Sequence, residues 1–134
     1  MASTKTSPTD ISDDPLLMST EGVETKEFNA EELYKGEFTD SDLHRASGMA
    51  KVIRRDGKTY VVLKELATDD GPDLHAYLAT DDTAQDFIDL GPIDNNYGYD
   101  VEIEVDDNID FTKYDTVLIW CQRFSVLFGE AALQ

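Results

Sequence analysis

The chain has 134 residues and carries 29 acidic against 11 basic side chains, which gives a net charge of −18. This length suits one globular domain, and the strong negative charge argues against nucleic acid as a partner because phosphates need a basic face. A single cysteine excludes an intramolecular disulfide framework, and no apolar run is long enough to span a bilayer. The acids are scattered along the chain rather than grouped, which favours the interpretation of a halophilic protein that stays soluble in high salt; a polycationic partner is the alternative.

The first 28 residues differ in composition from the rest of the chain. They are polar, acidic and rich in Ser, Thr and Pro, and they lack the apolar stretch of a signal peptide. We therefore predict a disordered acidic tail or tether over residues 1–28. Residues 29–134 are predicted to form a single folded domain.

The first predicted element is one short helix in "NAEELYKG", residues 29–36. Asn29 is a favourable N-cap, and Glu32 stands where a capping box needs it. Gly36 is a residue type that commonly ends a helix.

The rest of the chain has the pattern of short β-strands. Asp56-Gly57 predicts a two-residue hairpin turn inside "MAKVIRRDGKTYVVLKEL". Pairing across this turn places four apolar side chains on one face: Ala50, Val52, Val61 and Leu63. Further strands are predicted in "DLHAYLA", "DFIDLGP", "YDVEIEV", "DTVLIWC" and "FSVLFG".

The spacing of these strands predicts an all-β fold, an antiparallel sandwich or barrel of roughly seven to nine strands. "DTVLIWC" is apolar on both faces, as expected of a central strand that lies between two apolar layers. In "DLHAYLA", Leu74, Ala76 and Leu78 alternate with His75 and Tyr77. The first three residues are therefore expected on the opposite face from the last two.

Cys121 is the only cysteine, and it lies in a stretch without acids from Thr116 to Gly129. Free cysteines are most often buried as small apolar residues. A reactive thiol is the alternative, because Arg123 shares the face of Cys121 if the strand continues, and a nearby cation favours the thiolate. A bend at Gln122 would remove that argument. Trp120 faces the other way in a regular strand and is expected to be an anchor of the core.

Metal sites have little support in the sequence. His75 and His44 are candidate metal or haem ligands, with Cys121 as a partner, but a zinc site needs three or four clustered ligands. Asp106, Asn108 and Asp110 alternate like calcium ligands. They fail the EF-hand template because Phe111 stands where Gly is required. We therefore predict no metal site and expect these acids to serve turns.

Five blocks of sequence resemble one known family. "GPDLHAYL", "DFIDLGPI", "NNYGYDV", "FTKYDTVLIWC" and "RFSVLFGEAAL" follow one another as in the DM-thirteen domain, a family labelled electron transfer. The resemblance runs from about Gly36 to Leu133. It implies that Cys121 corresponds to the hallmark cysteine of the family, which acts in redox chemistry as a bare thiol or through haem. His75 lies in a matching block and is the second candidate for cofactor binding.

The resemblance also implies where such a domain works. The family is associated with cell-surface and secreted proteins, so we expect an extracytoplasmic domain with a redox partner protein and a tether or lipid anchor. The leading hypothesis is an electron-transfer or thiol-redox domain centred on Cys121. The alternative is a non-catalytic surface module that binds a partner, a glycan or a cation through loops such as "TDDGPD" and "IDNNYGYD", with Cys121 buried in the core.

Overall fold

The computed structural model describes residues 30–93 and 99–134. Their strands are β1 (Glu31–Asp40), β2 (Ala46–Arg55), β3 (Lys58–Thr68), β4 (Leu74–Ala79), β5 (Phe87–Pro92), β6 (Tyr99–Val105), β7 (Thr116–Cys121) and β8 (Val126–Ala132). These eight strands form one antiparallel sheet in the order β5-β4-β7-β8-β1-β2-β3-β6, a nearly closed barrel. The all-β prediction of seven to nine strands is therefore confirmed.

The hairpin at Asp56-Gly57 is confirmed in detail. Both residues have positive φ, 55° and 77°, as a type I′ turn requires. Across the hairpin, Val52 pairs with Val61 and Ala50 pairs with Leu63. All four of these apolar side chains are fully buried in the core.

The predicted short helix over residues 29–36 is wrong. Asn29 lies outside the described residues, and β1 runs from Glu31 to Asp40. Residues 31–37 of this strand pair with β2, and residues 38–40 pair with β8. A helix of eight residues is marginal by itself, so pairing on both sides overrides the local helix signals. Within the described part of the chain no helix occurs, and none is therefore long and apolar enough to cross a membrane.

The barrel has a main core and a smaller apolar cluster. Inward-facing side chains from the strands form the main core, together with Phe111 from the β6–β7 connection. The smaller cluster lies around Tyr77, Ala79 and Leu118 on the other face of β4 and β7. Both faces of β7 are thus covered, as its sequence predicts, and this strand lies between β4 and β8. The tail predicted over residues 1–28 lies outside the described residues.

Candidate functional site

Cys121 ends strand β7 with its side chain in the main core. It pairs with Leu74 of β4 on one side and with Val126 of β8 on the other. Its exposed fraction is 0%, and it belongs to the same buried cluster as Leu74 and Phe128. The structure therefore places this thiol among packed apolar side chains and out of contact with solvent.

The structure removes the argument that Arg123 activates this thiol, which required the strand to continue past Cys121. Strand β7 ends at Cys121, and residues 122–125 form a turn that leads into β8. Arg123 is exposed in that turn, and its guanidinium lies 5.9 Å from the ring centroid of Phe124. Because the strand does not continue, the two-residue spacing no longer places the cation on the face of the thiol.

His75 points to the outer face of β4, where two carboxylates contact its ring. Its Nδ1 lies 3.0 Å from Oδ1 of Asp89, and its Nε2 lies 3.3 Å from Oδ1 of Asp73. Carboxylate oxygens only accept hydrogen bonds, so both contacts are satisfied together when each ring nitrogen carries a proton. The imidazole is thereby fixed in orientation between two acids.

The two cofactor residues implied by the family resemblance lie on opposite faces of the sheet. Leu74 pairs with Cys121 and the next pair is His75 with Trp120. Successive residues of a strand face opposite sides, so the thiol points into the core while the imidazole points outward. A haem held by both side chains does not fit this geometry. A haem on Cys121 alone would have to displace core side chains, since Leu74 and Phe128 are only 2% and 3% exposed.

Three aromatic side chains lie together beside His75. The ring of Tyr77 stacks on Phe87 with 4.1 Å between centroids, and the ring of Trp120 lies 6.1 Å from Tyr77 at an interplanar angle of 22°. His75 meets Tyr77 edge-on at 6.3 Å. Tyr77 is 3% exposed whereas Phe87 is 38% exposed, so the stack extends from a buried phenol to the surface.

Gln122 joins the aromatic rings to the carboxylate of Asp89. Its Nε2 donates to the hydroxyl oxygen of Tyr77 at 2.8 Å and to Oδ2 of Asp89 at 2.9 Å. The backbone N–H of Gly91 donates to Oδ1 of the same carboxylate at 2.8 Å. We call the following six residues the outer-face cluster: His75, Tyr77, Phe87, Asp89, Trp120 and Gln122.

Two pKa values in the outer-face cluster depart from their ordinary range. Burial raises the pKa of the Tyr77 phenol; the hydrogen bond from Gln122 acts in the opposite direction, and the carboxylates of Asp89 and Asp73 add to the rise. For Asp89, partial burial by itself would raise the pKa. The hydrogen bonds from His75, Gly91 and Gln122 and the charge of His75 outweigh burial, so the pKa of Asp89 is lowered. The phenol keeps its proton beside an ionised carboxylate.

The sequence pattern placed His75 and Tyr77 on one face but missed their partners. The alternation in "DLHAYLA" is confirmed, because Leu74, Ala76 and Leu78 lie in the core. Asp89 comes 12 positions after Tyr77 and is its direct neighbour across β4 and β5. Nothing in the sequence distinguishes this acid from the other 28, because the register between the two strands is needed to find it.

The remaining metal candidates bond within the protein. The ring of His44 stacks on Phe128 with 3.7 Å between centroids, and its Nδ1 lies 3.3 Å from Oδ2 of Asp69. Asp106 and Asp110 accept hydrogen bonds from backbone N–H groups two residues further on, as turn acids do. Among residues 30–93 and 99–134, His, Cys, Asp and Glu side chains form no group of three that could hold a metal ion.

Comparison with known proteins gives a family and no close relative. No curated protein and no solved structure matches the chain significantly. A family model described as electron transfer DM13 matches residues 37–133, which include every strand from β2 to β8 and the last four residues of β1. This match covers well over half of the 134 residues. The chain belongs to the electron transfer DM13 family.

Proposed function

We propose that this chain is an extracytoplasmic electron-transfer domain and that electrons enter and leave through the outer-face cluster. The observation that carries the proposal is the stack of Tyr77 with Phe87 and Trp120 beside His75 and Asp89. The name of the family supports an electron-transfer role. Its association with cell-surface and secreted proteins supports the location.

Aromatic rings in contact offer an electron a path between a buried group and the surface. Phe87 is the most exposed ring of the stack and lies against Tyr77. A one-electron acceptor on a partner protein that docks at Phe87 would take one electron from Tyr77 or Trp120. When Tyr77 gives the electron, its phenolic proton leaves to nearby water or to the Asp89 carboxylate. One electron and one proton from a donor then restore the phenol.

The polar residues of the cluster suit this exchange. Gln122 holds the hydroxyl of Tyr77 in place, and the same amide holds Asp89 close to it. The lowered pKa keeps Asp89 ionised and able to stabilise positive charge that develops on a neighbouring ring. Tyr77 enters the exchange as the neutral phenol because burial raises its pKa.

Photochemical one-electron oxidation of the purified chain tests this proposal. A soluble ruthenium tris-bipyridine photo-oxidant would generate a radical that electron paramagnetic resonance identifies by its hyperfine pattern. We expect a tyrosyl or tryptophanyl radical in the native chain. Its yield should be much lower in Tyr77→Phe. Tyr60→Phe is the matched control, because Tyr60 is a half-buried tyrosine of β3 whose ring lies under Arg55. An equal radical yield in Tyr77→Phe and the native chain would contradict the proposal.

Thiol redox chemistry at Cys121 is the second candidate. One observation favours it: Cys121 directly follows Trp120 in β7, and their side chains lie on opposite faces of that strand. Only the backbone of β7 therefore separates the thiol from the outer-face cluster. Electrons could reach the thiol through that strand although solvent does not. The same experiment decides between the two sites, because a radical that disappears in Cys121→Ala and persists in Tyr77→Phe would assign the redox group to the thiol.

A further inference from the structure

Among the described residues, 30–93 and 99–134, no hydrogen-bonded ladder joins strands β5 and β6. These two strands stand at the two ends of the hydrogen-bonded order, and each pairs with one neighbour, β5 with β4 and β6 with β3. An edge strand presents unpaired backbone N–H and C=O groups along its free side. Within the described part of the chain, the barrel therefore has a seam with a strand edge on each side that pairs with no other described strand.

A groove of about 470 Å³ lies along this seam. Ile88 and Leu90 of β5 line one wall, and Ile103 and Val105 of β6 line the other. Ile109 adds to the apolar lining from the segment that follows β6. These five side chains are only partly buried although they pack against the main core, so the groove exposes apolar surface that a bound segment would cover.

The remaining residues that line the groove are acidic or neutral. Asp89, Glu104 and Asp106 contribute carboxylates, Asn108 is the uncharged polar residue, and no Lys or Arg is among the described residues that line it. Asp89 faces outward on β5, in the outer-face cluster. Glu104 lies on the opposite face of β6 from its apolar neighbours Ile103 and Val105. The groove thus has an apolar lining bordered by negative charge.

We propose that this groove binds an extended, basic segment of a partner protein as an additional β-strand. Main-chain hydrogen bonds to the free edge of β5 or β6 would supply affinity, as in other cases of strand addition. Apolar side chains at alternate positions of the segment would enter the groove, and Lys or Arg at the intervening positions would face the carboxylates. The alternation follows from the period of two along a strand.

Charge favours a basic segment of a partner protein over two other possible occupants of the groove, a second copy of this chain and residues 1–28. A second copy brings a net charge of −18 to an edge that already carries carboxylates, so like charges would oppose pairing between copies. Residues 1–28 carry six acids against two bases and are opposed for the same reason. A basic segment gains attraction at each of these carboxylates.

Binding of two synthetic peptides to the full chain tests the proposal. The first alternates valine and lysine over about eight residues, and the second replaces each lysine by glutamate. We expect the lysine peptide to bind and to slow hydrogen exchange of backbone amides in β5 or β6, and we expect the glutamate peptide not to bind. Raising the salt concentration should weaken binding, because the attraction between exposed charges is screened.

Charge reversal in the groove supplies the matched comparison. Glu104→Lys combined with Asp106→Lys should weaken binding of the lysine peptide about fivefold to tenfold, as expected for two exposed charge contacts. Glu37→Lys reverses an exposed acid of β1 away from the groove and should leave the affinity within about twofold. Equal weakening by Glu37→Lys, or slowed exchange confined to strands other than β5 and β6, would overturn the proposal. A dimer of the chain that the lysine peptide fails to dissociate would also overturn it, because the second copy would then be the occupant.

Discussion

Replacement of Cys121 tests its assignment as a core residue. The side chain is 0% exposed, so Cys121→Ala loses the burial of one heavy atom, comparable with a methylene at about 0.8 kcal/mol. A sulfur-sized cavity of about 25 Å³ adds about 0.6 kcal/mol. We expect a total loss of about 1.5 kcal/mol, which lowers Tm by about 6–12 °C for a folded unit of about 100 residues.

Cys121→Ser should destabilise the fold more than Cys121→Ala. The hydroxyl has a similar shape to the thiol but must find a hydrogen-bond partner in the core, and a buried unpaired polar group costs about 1–3 kcal/mol. Thermal and urea unfolding followed by circular dichroism would measure both variants. Equal stability of the native chain and Cys121→Ser would refute the reasoning, because a hydroxyl is tolerated at no cost only where water reaches it.

Thiol alkylation provides an independent check of the same assignment. A thiol in the core reacts only when the protein opens, so labelling of native Cys121 should be slower than labelling of the unfolded chain by several orders of magnitude. Ser47→Cys in the Cys121→Ala background is the matched control, because Ser47 is exposed on β2. Native Cys121 that reacts within a few-fold of this control would contradict burial.

Three further predictions concern other parts of the barrel. Gly129→Ala should destabilise the fold by about 1–3 kcal/mol in urea unfolding, because the added Cβ would overlap the Cβ of Ala46. Glu130→Gln should raise the free energy of unfolding above pH 6 but not at pH 3 in the same assay. Burial raises the pKa of Glu130 in the folded chain, so the protonated carboxyl contributes stability at low pH. This contribution is lost as the pH rises through the folded-state pKa. Gln122→Ala should raise the pKa of Tyr77 further in an NMR titration of ¹³C-labelled tyrosine, because the lost hydrogen bond lowers that pKa; an unchanged value would show that the amide does not hold the phenol.

Local sequence patterns predict the strands well where the turn residues and the pattern of apolar residues indicate the same structure. The Asp56-Gly57 turn has its two positive φ angles, and β7 is apolar on both faces because both are covered. The segment 29–36 fails for the opposite reason. Its capping residues would stabilise a helix in isolation. In the folded chain the segment forms a strand instead, because β1 pairs with both β2 and β8, and these pairings exist only once the chain has folded.

The candidate site depends on strand register, which local patterns do not contain. Side chains alternate between the two faces of a strand, so Leu74 and His75 lie on opposite faces of β4, and Trp120 and Cys121 lie on opposite faces of β7. Only the pairing of Leu74 with Cys121 tells which of these side chains share a face. The predicted cofactor ligands are the two most chemically distinctive residues, Cys121 and His75. Their side chains lie on opposite faces of the sheet.

Square-wave voltammetry of the full chain tests most directly whether the outer-face cluster carries electron transfer. Tyr77→Phe, Trp120→Phe and Cys121→Ala would be compared with the native chain on one electrode surface, with Tyr60→Phe as the control. The account predicts an oxidation wave that Tyr77→Phe or Trp120→Phe shifts or removes and that Cys121→Ala leaves in place. A wave that is lost in Cys121→Ala and unchanged in both aromatic variants would contradict the account and place the redox group in the core.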